Sequence, residues 1–117
     1  MKFMTLVKTS SKSKASPQPP AELFGAIMKL GMEAGPALVQ QGGLMDIEKG
    51  ASVRLANDEI VVVDGPFSES KEWVGGYAVY DVASKAEAIE WAVRFLELHK
   101  QFWPGWEGDV EIRQIMG

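Results

Sequence analysis

The sequence predicts an α+β sandwich, with helices on one face of a mostly antiparallel sheet. Short runs of β-forming residues alternate with two apolar-periodic segments of helical length, in the order β-α-β, β-hairpin, β-α-β. The length of 117 residues favours one domain, spanning 1–117. An apolar share of 46% beside 24% charged residues suffices for a core.

Lys2-Phe3-Met4-Thr5-Leu6-Val7-Lys8 reads as the first strand. The Ser, Lys and Pro tract after it, within 9–20, is too polar to offset its ordering entropy and is expected to be a mobile loop. Pro19-Pro20 suits a helix entry, and Leu23, Phe24, Ile27, Met28, Leu30 and Ala34 then recur at helical spacing. Gly35-Pro36 ends that helix. Gly25 and Gly31 weaken it, and a tight backbone contact would explain them. Leu38 to Leu44 is a weak strand interrupted by Gly42-Gly43. Ser52–Leu55 and Ile60–Val63 flank Asn57-Asp58, the composition of a hairpin turn. Gly76–Val82 is a further strand. Ser84-Lys85-Ala86-Glu87 is a capping box opening a helix to about His99, with Ala88, Ile89, Ala92, Phe95, Leu96 and His99 towards one side. In the last strand, Val110 to Ile115, apolar Val110 and Ile112 alternate with Glu111 and Arg113.

This order suggests a ferredoxin-like sandwich. Its second sheet face has no helices to cover it, and a face-to-face homodimer is the simplest cover. A site at the edge of two packed sheets would then belong to both chains.

Composition excludes several chemistries. The chain has no cysteine, hence no disulfide, thiolate nucleophile or zinc–thiolate site. One histidine allows no multi-histidine metal site and at most one imidazole acid/base. No cofactor or metal is expected. No apolar run is long enough to span a bilayer and no signal peptide is evident, so a cytoplasmic protein without membrane association is expected. Lys2, Lys8, Lys12 and Lys14 give residues 1–20 a charge of +4 with no acid; eight bases against sixteen acids leave the remainder at −8. A basic face with interleaved aromatics is missing, so nucleic acid is not an expected partner.

The densest constellation of chemistry-bearing residues is Asp64-Gly65-Pro66-Phe67-Ser68-Glu69-Ser70-Lys71-Glu72-Trp73-Val74-Gly75-Gly76-Tyr77. Asp-Gly-Pro forces a sharp change of direction, and Asp64 suits the role of acceptor for the turn's backbone. The functional alternative gathers Asp64, Glu69, Lys71 and Tyr77 at a cleft rim with Phe67 and Trp73 as apolar walls, the usual design of a ligand site.

This segment closely resembles the signature of the YCII-related, DGPF-domain family of small bacterial proteins, whose name is spelled by Asp64 to Phe67. The similarity extends through Ser68–Glu72, Gly75-Gly76-Tyr77, the Glu87–Ala92 helix, Val110–Ile115 and the opening Met1–Met4 strand. The resemblance implies a ferredoxin-like fold dimerising as an α+β barrel. It implies no defined function, and association with sigma-factor regulation enters by family analogy alone. Certain relatives pair a first-helix histidine with an aspartate, proposed as an acid/base site. Residues 21–34 here offer only Glu22 and Glu33, so that pair is not carried over.

His99 ends the second helix, where the helix dipole favours a cation and a structural role. Trp103-Pro104-Gly105-Trp106 reads as a packed corner, with ligand contact as the alternative. Arg113 suits surface pairing or the holding of an anion. Three function classes stay open. The first is a dimeric module binding a small organic ligand in a cleft near the Asp64–Phe67 segment. The second is a cofactor-free isomerase, lyase or monooxygenase, with Asp64 or Glu69 as the carboxylate acid/base and Lys71 or Tyr77 polarising a carbonyl. The third is a protein-interaction module.

Overall fold

Lys2–Ser10 (β1) lies inside a four-stranded antiparallel sheet, paired on both edges. The computed structural model describes residues 1–64 and 72–117, with Asp64 and Glu72 described by their backbone only. The other elements are Ala21–Ala34 (α1), Leu38–Gly43 (β2), Ala51–Ala56 (β3), Glu59–Asp64 (β4), Glu72–Asp81 (β5), Lys85–Phe102 (α2) and Gly108–Gln114 (β6). The sheet order is β2-β5-β1-β6, and β3 and β4 form a separate hairpin. Each helix thus joins two strands that have a third between them, which is the ferredoxin-like arrangement expected from the element order.

Alternation along the strands decides which face is covered. Phe3, Thr5, Ala78 and Tyr80 point to the helices and are buried, and the Thr5 hydroxyl donates to the Ala78 carbonyl at 3.3 Å. Leu23, Leu30 and Ala34 of α1 and Ala88 and Ala92 of α2 supply the facing layer, with Phe3 and Leu23 fully buried. Burying a phenylalanine of this kind contributes on the order of 2–3 kcal/mol. Glu33 and Arg94 pair across the two helices, and the Arg94 guanidinium lies 5.0 Å from the centre of the Trp91 ring.

The opposite face holds Met4, Leu6, Tyr77 and Val79, each half-buried with no helix over it. The molecule is only 19 Å thick, one helix layer on one sheet layer. The Tyr77 hydroxyl accepts from the Gln40 amide at 2.9 Å, and Glu111 pairs with both Lys8 and Arg113 on the same face.

The turn between β3 and β4 places Asn57 and Asp58 at φ of 53° and 64°, the type I′ geometry that suits a two-residue hairpin. The capping box also forms: Ser84 Oγ accepts from the Glu87 N–H at 3.3 Å, and the Glu87 carboxylate accepts from the Ala83 N–H.

Tertiary contacts explain where the elements differ from the pattern expected of the sequence. Thr9 and Ser10 extend β1 because Trp73 and Glu72 continue the ladder beside them. The weak strand forms despite Gly42-Gly43, since β5 pairs with it and the Tyr77 ring would stand 3.0 Å from a Cβ at Gly42. The helix stripes are narrower than their apolar content: Phe24 and Met28 on α1 and Ile89 on α2 are exposed. A tight contact does account for Gly31, where a Cβ would meet Leu38 and Gln41 at 3.1–3.2 Å, but not for Gly25, which has nothing within 4 Å.

Gly108 is the tightest point of the sheet. A Cβ there would lie 2.1 Å from the Lys8 carbonyl oxygen and 2.5 Å from the Trp106 ring. Gly108→Ala is expected to lower stability by about 2–4 kcal/mol. Gly25→Ala, inside a helix with open space around it, is expected to raise stability by roughly 0.5–1 kcal/mol. Urea denaturation midpoints check both, and a Gly108→Ala midpoint equal to that of the unsubstituted chain contradicts the packing described.

Candidate functional site

Phe95, His99 and Trp103 recur every four residues, which brings their rings to one side of the end of α2. The chain turns at Pro104-Gly105, and Trp106 comes back against His99. Ring centres lie 4.7 Å from His99 to Phe95, 4.5 Å to Trp106 and 6.0 Å to Trp103. The indole N–H of Trp106 donates to Thr9 Oγ1 at 3.3 Å, and that of Trp103 to Ser16. The Lys14 N–H donates to the Gly105 carbonyl at 3.0 Å, so the tract within 9–20 is hydrogen-bonded to this corner.

A cavity of about 630 Å³ opens between the end of α2, this corner and the start of β6. Leu96, His99, Trp103 and Trp106 contribute to its walls, Ser10 borders it from β1, and Lys100, Glu107 and Asp109 also lie along it, Asp109 pairing in the sheet with Lys8. Lys100, Glu107 and Asp109 are exposed, and none of the three is in an ion pair among the described residues.

His99 is 5% exposed and its Nδ1 lies 3.0 Å from the Phe95 carbonyl oxygen. A carbonyl only accepts, so Nδ1 carries the proton and the lone pair of the neutral ring resides on Nε2. No buried side-chain nitrogen or oxygen among the described residues lacks a partner, yet Nε2 has none. Nε2 therefore reaches solvent, and His99 is among the residues that line the cavity. Burial pushes the His99 pKa below its ordinary value of 6.5, opposed in part by the bond to Phe95. This reverses the expectation drawn from the helix dipole: at neutral pH the ring is an uncharged acceptor.

Of the six candidate residues of the sequence constellation, only Trp73 and Tyr77 have described side chains. Phe67, Glu69 and Lys71 lie outside the described residues, and so does the side chain of Asp64, whose backbone ends β4. Trp73 is 44% exposed and pairs with Thr9, which places it on the helix side of the sheet. Tyr77 pairs with Leu6 on the open side. Strict alternation would set Trp73 and Tyr77 on one face; a bulge between their partners, at Gly75, sets them on opposite faces. Arg113 is an exposed partner of Glu111. Glu72, where the described chain resumes after 65–71, pairs in the sheet with Ser10 of the cavity border. Among the described residues no group of three or more His, Asp or Glu could hold a metal ion, and no helix is long and apolar enough to cross a membrane.

His99 is the single imidazole, so its proton NMR titration reads one residue. The midpoint is expected below 6.5. With the folded value depressed, the unfolded chain binds the proton first, and the contribution of neutral His99 to stability is complete above 6.5 and lost as pH falls. A midpoint at or above 6.5, raised by Glu107 or Asp109, contradicts the burial argument.

The YCII-related domain matches residues 1–95 of the chain. An uncharacterised protein of Rhizobium meliloti (strain 1021) is 33% identical over 84 residues, covering 72% of this chain and 67% of that protein. Apart from Ser10, every residue lining the cavity lies beyond the matched span. The chain belongs to the YCII-related family.

Proposed function

We propose that the protein binds a small organic molecule in the cavity at the end of α2. The observation that carries this reading is His99, almost wholly buried and with an unpartnered Nε2, in the lining of a cavity of about 630 Å³ that Trp103 and Trp106 also line. Nε2 reaches solvent, so a ligand donor there would take the place of a water molecule. Apolar walls with a few convergent polar groups are the general design of such sites. Ser10, at the border of the cavity, pairs with Glu72 in the sheet, and this adjacency to the Asp64–Lys71 segment in the chain supports the reading.

The test is a screen of small organic fragments followed by NMR at His99 and at the indole N–H groups. Binding is expected to shift His99, Trp103 and Trp106 before Trp73 and Trp91. Fragments that shift only the other two tryptophans, or none, overturn the reading.

We also propose that a second copy covers the open sheet face, on the strength of Met4, Leu6, Tyr77 and Val79 lying together with no helix above them. Isologous packing of this face on itself would bury its apolar centre while the Lys8–Glu111–Arg113 group rims it. Light scattering is expected to report a dimer at micromolar concentration, and Val79→Arg to shift it to monomer without unfolding. A monomeric unsubstituted protein refutes the proposal.

A further inference from the structure

We propose that the β3–β4 hairpin is an arm that packs its apolar face on a second copy of the chain. This rests on the reading of the protein as a dimer and adds the element that completes the interface.

The pairing register divides the hairpin into two unlike faces. Val53 stands opposite Val62 and Leu55 opposite Ile60, so these four branched side chains share one face. All four are 67–73% exposed. Ser52, Arg54, Glu59, Val61 and Val63 lie on the other face, where Ser52 and Val63 are half-buried. The charges of Arg54 and Glu59 therefore point away from the apolar four.

A two-stranded ribbon by itself is marginal in water and persists when its apolar face is covered. These two strands pair only with each other, and neither has more than marginal contact with another described helix or strand. The radius of gyration is 15.7 Å, where a compact chain of this length has about 13 Å. The whole molecule stays within a thickness of 19 Å, which one helix layer on one sheet layer already fills. The hairpin thus stands beside the sandwich and not upon it. An apolar patch left in this way on a folded chain marks an interface.

Area and composition identify the occupant as a second copy. Four strands about 4.8 Å apart and about seven residues long present a face of roughly 450 Å², whereas a stable interface takes about 800 Å² from each partner. The open sheet face around Met4, Leu6, Tyr77 and Val79 falls short alone, and the hairpin supplies further apolar area. Val, Leu and Ile side chains, with Arg54 and Glu59 turned away, match the apolar character of homodimer interfaces. Transient partners meet through more polar surfaces.

Leu55→Lys with Ile60→Glu tests the arm in the full chain. It sets opposite charges at one cross-strand pair, which keeps the strands paired while removing the apolar tip. A light-scattering dilution series is expected to show the dimer dissociation constant raised at least about tenfold, with the circular dichroism spectrum unchanged. Met28→Lys with Met32→Glu makes the same kind of change at exposed positions of α1, on the helix side, and is expected to leave the dimer as it was. In a mixture of isotope-labelled and unlabelled unsubstituted chains, the methyl groups of Val53, Leu55, Ile60 and Val62 are expected to show NMR contacts between chains. A monomeric unsubstituted protein refutes the dimer reading and this proposal together. In a protein that does dimerise, three results each overturn the arm while the dimer reading stands: no contacts between chains at those methyl groups, a dissociation constant unchanged by the hairpin substitutions, or an equal weakening by the α1 control. Should the hairpin variant fail to fold, the labelled mixture decides.

Discussion

The two-sided pairing of Lys2–Ser10 is the constraint on which the other elements depend. With a strand hydrogen-bonded to each of its edges, β1 cannot shift register without moving its apolar residues to the wrong faces. Phe3 and Thr5 fix the layer against the helices, and Met4 and Leu6 fix the opposite one. The far end of the same strand sets the cavity. Thr9 holds the Trp106 indole, Ser10 borders the opening, and the carbonyl of Lys8 approaches Gly108 so closely that only glycine fits. One strand therefore connects the core to the candidate site, and a change that loosens its last three residues should be felt in both.

At His99 two electrostatic effects oppose each other. A helix C-terminus favours a cation by about 0.3–1 kcal/mol when exposed. Burial among Phe95, Trp103 and Trp106 disfavours the charged ring and pushes its pKa down, opposed in part by the bond to the Phe95 carbonyl. The Nδ1–H bond to Phe95 then settles which nitrogen is the acceptor. In this packing the imidazole is a neutral, oriented acceptor at neutral pH.

Membership of the YCII-related family accounts for the sandwich and for the Asp64–Phe67 signature, but the family match ends at residue 95. The last turns of α2, the tryptophan corner and β6 lie beyond it.

Local preferences written in the chain were enough to set the element order, the α1 bounds, the hairpin turn and the capped second helix. They are proline and glycine at the helix ends, Asn57-Asp58 tolerating positive φ, and Ser84 paired with Glu87. The alternation in Val110–Arg113 matches the register of β6, in which Val110 and Ile112 pair with Val7 and Thr5, and Glu111 and Arg113 with Leu6 and Met4. The relation between distant segments emerged only in three dimensions. The bulge at Gly75 parts Trp73 from Tyr77, and pairing with β5 completes a strand that its glycines would weaken. Most of all, His99, Trp103 and Trp106 become one cavity with Ser10 from the opposite end of the chain. The four-residue spacing of Phe95, His99 and Trp103 was a legible sign of a shared side. Which ring nitrogen is free, and whether the ring is charged, depends on burial and on a single carbonyl, and those exist only in the folded packing.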